Sequence, residues 1–216
     1  MLYDLIKRAL DIAGSLVALT ILSPIILLFT ILVKTTSTGP IFYKPTRVGK
    51  NGKPFKMIKF RSMYMYKING KTVHAHKYLE KTPKLKKEYQ SNSFKLANDP
   101  RITPIGKILR RLSIDELPQL VNILDGDMSL VGPRAYQPDE LAHQQKVYPK
   151  TARYVKLILR ARPGASGPWQ VSGRSFINFD KRIEMDARYV EKRSIFYDIW
   201  IIIKTPFAMI LGTGAI

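Results

Sequence analysis

From Ile12 to Val33 the chain runs for 22 residues without a charge, between Asp11 and Lys34. About 20 apolar residues suffice for a helix to cross the hydrocarbon core of a bilayer. The run is longer than the apolar core of a signal peptide, and no small-x-small cleavage site follows it before Lys34, so it reads as a retained membrane element. Near its middle stand Ser23 and Pro24. Proline offers no N–H to the carbonyl of Thr20, and its ring presses on the same turn. A carbonyl left bare in hydrocarbon is costly, and the Ser23 hydroxyl can bond one a turn back, at Leu19. Two shapes follow: a kinked span, or a re-entrant helix whose ends return to one face. The residue physics alone favours the kinked span, because proline is ordinary in membrane helices.

Charge orients the segment. The net charge is +20 over 216 residues, and it is unevenly spread: residues 34 to 111 carry twenty bases and three acids, whereas residues 112 to 216 carry fourteen and eleven. Basic residues directly after an apolar run belong on the cytoplasmic side, against anionic headgroups. The same excess suits an anionic partner: phospholipid, a phosphorylated substrate or nucleic acid. Cysteine is absent, which excludes disulfides and thiolate metal sites. With 45% apolar residues, the remainder has enough to build one compact domain.

Beyond the membrane segment, Ile41-Phe42-Tyr43 and Phe55 to Phe60, joined through Gly49, Asn51 and Gly52, predict a β-hairpin. Residues 64 to 100 are polar and lysine-rich, with one short helix expected to end near Tyr89. Thr103-Pro104 opens a helix that ends at Arg110-Arg111. Leu117 to Leu124 is stopped by Asp125-Gly126-Asp127, and further helices are expected at about 138–148, 151–160 and 178–193, the last started by Asn178. The tail from Ile195 to Leu211 carries Asp198 and Lys204 in an apolar run and reads either as an interfacial helix or as a core helix.

Ser113-Ile114-Asp115-Glu116 matches a capping box, in which both acids merely stabilise a helix start. Pro118 points elsewhere, since proline prefers the first helical position. A helix beginning there leaves Asp115 and Glu116 on the preceding turn. Two acids so placed can divide the work: one carboxylate attacks phosphorus while the other holds a magnesium ion bridging a diphosphate. Lys59, Arg61, Arg110, Arg111 and Arg134 are the candidate cations for substrate phosphates. Asp125-Gly126-Asp127 also has the D-x-D form with which metal-dependent glycosyltransferases chelate a divalent ion, though glycine there equally ends a helix. His74, His76 and His143 have no metal-site spacing. A non-catalytic basic module bound to anionic lipid or nucleic acid is the reading from another class.

In seven ordered blocks spread over nearly the whole chain, the sequence resembles the bacterial sugar transferases, or monotopic phosphoglycosyl transferases. The blocks are the Ser23-Pro24 segment; Lys59-Phe60-Arg61-Ser62-Met63; Asn98-Asp99-Pro100-Arg101-Ile102-Thr103; Leu112 to Gln119; Gly126 to Arg134; Arg162-Pro163-Gly164; and Trp169-Gln170-Val171-Ser172-Gly173-Arg174. The resemblance implies a small, mostly helical α/β (α+β) fold, with residues 1–36 as a re-entrant membrane helix broken at Ser23-Pro24 and residues 37–216 as the cytoplasmic catalytic domain. That reverses the preference for a kinked span. It implies transfer of a sugar phosphate from a UDP-sugar to undecaprenyl phosphate at the bacterial inner membrane. Asp115 would be the nucleophile, Glu116 beside it the magnesium (Mg2+) ligand, and Lys59, Arg61, Arg110 and Arg134 would meet the phosphates. The implied partners are UDP-sugar and undecaprenyl phosphate; the charge adds an anionic bilayer, homo-oligomerisation is left open, and nucleic acid is not expected. Two departures, Ala135 for a proline and Ala165-Ser166 for Ile-Thr, bear on which hexose is carried, galactose or glucose.

Overall fold

The computed structural model describes residues 2–68, 70–75, 77–91, 96, 99–173 and 177–210; His76, Asn98 and Arg174 lie outside the described residues. The fold is mostly helical with small two-stranded sheets. It opens with α1 (Leu2–Thr36), 35 residues of continuous helix that contain Pro24. Ser23-Pro24 lies inside this one helix and does not end it. The Ser23 hydroxyl donates to the Thr20 carbonyl at 2.8 Å, the carbonyl that Pro24 leaves without an N–H, rather than to Leu19. The Thr20 hydroxyl donates in turn to Leu16 O. These local bonds let the helix run through the proline.

Only Asp11, Ser15, Phe29 and Val33 of α1 are buried. Apolar side chains along its length, among them Leu16, Ile21, Leu27 and Ile31, stand exposed. Exposed apolar surface on this scale marks the helix as membrane-associating. The remainder of the chain packs along α1 rather than at one end of it. Near the start, the Arg8 guanidinium donates to Ile123 O and Leu124 O, and Asp11 accepts from the Ser129 hydroxyl and Leu130 N–H. Midway, Ala18 and Leu19 pack on Leu120, Ile123 and Met128. Near the end, Phe29 and Val33 enclose Phe60 and Leu109.

The predicted hairpin forms in two tiers: β1 (Phe42–Tyr43) pairs with β4 (Lys59–Phe60), and β2 (Thr46–Val48) with β3 (Pro54–Lys56), all antiparallel. Asn51 and Gly52 take positive φ at the turn between them. Between residues 64 and 100 the expectation of one helix falls short. A second hairpin, β5 (Met65–Ile68) with β6 (Lys71–His74), precedes a 3-10 turn (Lys77–Lys81) and α2 (Pro83–Ser91). An Asn-Gly dipeptide at 69–70 was its signal.

Thr103 caps α3 (Pro104–Arg111) as expected, its hydroxyl accepting from Gly106 N–H at 2.9 Å. A side chain at Gly106 would collide with the Ser62 carbonyl, so glycine lets α3 lie against the strand that carries Lys59. Then follow α4 (Gln119–Asp125), α5 (Pro138–Val147), α6 (Ala152–Ile158), the single turn α7 (Pro168–Val171), α8 (Phe179–Lys192) and α9 (Ile195–Ile210). A short parallel pair not foreseen in the sequence, β7 (Ser129–Val131) with β8 (Gly164–Ser166), lies between α1 and α9. Asn178 caps α8 by position, without a side-chain bond. In α9, Ile201 is buried, while Phe196, Ile203 and Phe207 are exposed, so the tail is core on one side and apolar surface on the other.

Asp11 joins α1 to β7 and pairs with Lys7 at 2.8 Å, all within a buried setting. Removing the carboxylate leaves the Leu130 N–H without its acceptor and takes a partner from Lys7 and from the Ser129 hydroxyl, which keep Asp198 at 3.4 Å and Val131 O at 2.9 Å. Asp11→Ala is therefore expected to lower stability by about 2 kcal/mol, read by chemical denaturation in detergent micelles; a loss below about 0.5 kcal/mol, the level of an ordinary surface change, would contradict the staple.

Candidate active site

Asp115 and Glu116 do not begin a helix. Ser113 adopts left-handed φ and ψ (55°, 22°) and makes no capping bond, so the capping-box reading fails. The acids occupy a 3-10 turn, Ile114–Glu116, and α4 starts afterwards with Pro118 at its cap. The left-handed residue turns the chain back after α3, so the two acids sit on the turn between α3 and α4 instead of lying along one helix.

The turn faces β4. Lys59 Nζ lies 2.6 Å from Glu116 Oε1 and 3.6 Å from Asp115 Oδ2. Asp115 is buried, whereas the Glu116 side chain is 40% exposed. Burial raises the Asp115 carboxyl above the ordinary aspartate range. Lys59 and Arg110 pull it back down, and the neighbouring Glu116 pushes it up. The result is a desolvated carboxylate that depends on its cations to stay charged.

Arg110, at the end of α3, donates from Nε to the Ser62 hydroxyl at 2.9 Å. Asn122 on α4 accepts from Ile58 N–H and donates to Lys56 O, which fastens the strand bearing Lys59 to the helix that follows the acids. Neither Ser62 nor Asn122 was singled out in the sequence. Ser62 lies inside the Lys59–Met63 block, but nothing local marks Asn122, whose backbone partners Lys56 and Ile58 are more than sixty residues away. Arg134 follows β7. Its backbone N–H bonds Asp186 Oδ2 at 3.0 Å, its guanidinium stacks 4.9 Å from the centre of the Trp169 ring, and it feels the charge of Glu116 across the site.

Arg61 departs from the expected role. Its buried guanidinium donates to the carbonyls of Val33, Ser37, Thr38 and Pro40, closing the C-terminus of α1 and the loop beyond it, so its N–H groups are spent on backbone. Arg111 is exposed at the end of α3. Asp125-Gly126-Asp127 also departs from the chelating form. Gly126 is the left-handed cap of α4, its N–H bonded to Asn122 O and Ile123 O, and its carbonyl receives Arg162 Nε at 2.8 Å. Among the described residues no group of three acids or histidines is gathered to hold a metal. His74 stacks on Tyr43. Ala135 is buried beside Met57 and Met128, and the Ser166 hydroxyl meets that of Thr205.

The match to known proteins spans this whole arrangement. Residues 2–212 fit the family described as "Bacterial sugar transferase". The exopolysaccharide production protein ExoY of Rhizobium meliloti is 42% identical over 97% of this chain and 87% of its own length. The undecaprenyl-phosphate galactose phosphotransferase of Salmonella typhimurium is 42% identical over 97% of the chain and 41% of its own length. The UDP-glucose:undecaprenyl-phosphate glucose-1-phosphate transferase of Escherichia coli is 36% identical over 98% and 41%. The chain thus spans less than half of those two longer relatives. An acid pair on a tight turn, held by a strand lysine and within the field of Arg110, occurs here in an enzyme that belongs to the bacterial sugar transferase family.

Proposed function

We propose that the protein transfers a sugar 1-phosphate, galactose or glucose, from a UDP-sugar to undecaprenyl phosphate, at an early membrane step of exopolysaccharide, capsule or O-antigen synthesis. The names of its relatives supply the substrates. The observation that carries the chemistry is the buried Asp115 carboxylate beside Lys59, next to the more exposed Glu116. In the first step an Asp115 oxygen attacks the sugar-bearing phosphorus. The bond from that phosphorus to the bridging oxygen breaks, and UMP departs with the electron pair. In the second, an oxygen of the lipid phosphate attacks the same phosphorus and Asp115 leaves as a carboxylate.

Lys59, Arg110 and Arg134 neutralise phosphate oxygens, and the low-dielectric setting of the turn strengthens each contact. Asp115 and Glu116 offer the hard oxygen donors that magnesium takes, and two carboxylates suit an ion that keeps its remaining positions for water and phosphate. Held by Glu116 beside Asp115, the ion would supply charge neutralisation on the diphosphate.

Contacts at both ends of α1 support placing both ends on the cytoplasmic face of a bacterial inner membrane, which is what the re-entrant reading requires of them. A helix of 35 residues is about 50 Å long, yet Arg8 near its start and Val33 near its end touch the same body. A transverse span would carry one of those contacts to the far side of the bilayer. Cysteines placed at the exposed positions Leu2 and Thr36 are expected to react with an impermeant reagent from one shared side; labelling from opposite sides would restore the kinked span.

Asp115→Asn is expected to cut UMP release by about 10⁴-fold or more while membrane association persists; near-normal turnover removes Asp115 as nucleophile. The nucleotide product discriminates as well, since a D-x-D glycosyltransferase would release UDP. The acid limb of kcat/KM is expected above the ordinary aspartate range, because burial raises Asp115. Lys59→Gln deletes the strongest opposing charge, so in residual activity that limb should move to higher pH; a limb that stays put or falls contradicts the coupling.

A further inference from the structure

A second concentration of positive charge lies beside the acid pair, built partly from a residue that neither the motifs nor the reaction above employs. Arg47, on β2, and Arg134 approach the two oxygens of one buried carboxylate: Arg47 Nη1 is 3.9 Å from Glu140 Oε2, and Arg134 Nη2 is 3.8 Å from Oε1. Both separations exceed hydrogen-bond length. Arg47 Nε and Nη1 and Arg134 Nε are buried N–H groups without an acceptor. Buried donors normally find partners, and each exception calls for an explanation, a bound ion or a catalytic role among them.

The charges do not balance locally. Glu140 stands between two guanidinium groups, and Arg182 on α8, stacked 5.3 Å from the Trp169 ring centre, adds a third. Asp186, a second buried acid, spends one oxygen on the Arg134 backbone, and burial pushes its carboxyl up to about 7, while Glu116 reaches Arg134 only from across the site, so their compensation is partial. The scaffold beneath is firm. Arg47 lies opposite Phe55 in the β2–β3 ladder, and Val48 N–H bonds Tyr136 O at 2.9 Å, which ties that ladder to the segment carrying Arg134. Trp169 then fixes the plane of the Arg134 guanidinium. Two planar forks held on joined backbone, each short of acceptors, match the oxygens of a phosphate monoester.

We propose that Arg47 and Arg134 form a phosphate-binding pair next to the Asp115–Glu116 turn, with Glu140 holding the two side chains in place until a phosphate monoester takes their unpaired N–H groups. The proposal rests on the transfer reaction above, which offers two such groups: the phosphate of UMP and that of the polyprenyl carrier.

The test uses the whole chain in lipid nanodiscs, titrated calorimetrically with UMP and separately with a short-chain polyprenyl phosphate. Arg47→Gln is expected to weaken one of them by about 10-fold or more, the loss of charge-assisted bonds to phosphate. A change for UMP assigns the pair to the nucleotide, and a change for the polyprenyl phosphate assigns it to the carrier. Glu140→Gln keeps an acceptor for the Gln137 N–H but removes the competing charge, and should tighten the same ligand several-fold; this arm also serves if Arg47→Gln does not fold. Folded Arg47→Gln protein with both affinities unchanged, or Glu140→Gln protein that binds neither ligand more tightly, overturns the pair. Release of UDP instead of UMP by the unaltered protein would overturn the reaction and is read independently of these affinities.

Discussion

Everything in this structure leans on the polar fastening of an apolar helix. α1 exposes most of its surface, and hydrophobic burial against the body is confined to a few positions such as Phe29 and Val33. What fixes its place are charged groups whose bonds have no substitute in hydrocarbon: Asp11 on β7, Arg8 on the end of α4, and Arg61 on the carbonyls that close α1. Each would be expensive to separate in a low dielectric. The helix therefore acts as a spine along which the elements carrying the acids and cations are registered.

The registration matters because the acids and cations come from separate stretches of chain. Lys59 is set by β4, Asp115 and Glu116 by the turn after α3, and Arg134 by the segment leaving β7. α4 follows the acids, is tied to the lysine strand through Asn122, and ends on Arg8 of α1. β7 is held by Asp11 on one side, while Tyr189, itself bonded to Asp198, reaches Val131 O from the other. Burial of Asp115 is thus bounded by elements that are themselves anchored to the membrane helix, and the charge of the carboxylate is sustained by cations those same elements deliver.

Local chemistry was legible where a residue's neighbours in sequence are also its partners. Thr103-Pro104 announced α3, Gly126 announced the end of α4, and Pro118 in the capping-box pattern correctly argued that the helix starts late. The second hairpin was missed because its polar composition hides the alternation on which strand recognition depends. Arg61 was misread for a different reason. An arginine in a basic run looks the same whether it faces a phosphate or a set of carbonyls, and only the path of the chain from Val33 to Pro40 decides which.

The sequence by itself determined the long apolar helix, the basic stretch that follows it, the acid pair and most helix ends after Thr103, because composition, periodicity and capping act over a few residues. Tertiary structure alone decided that α1 runs unbroken through Pro24, that Lys59 meets Asp115 and Glu116, that Arg61 closes a helix, and that Arg47 joins Arg134 over Glu140. Those outcomes hang on distances between residues tens of positions apart, and such distances are set by packing and burial, which no local pattern encodes.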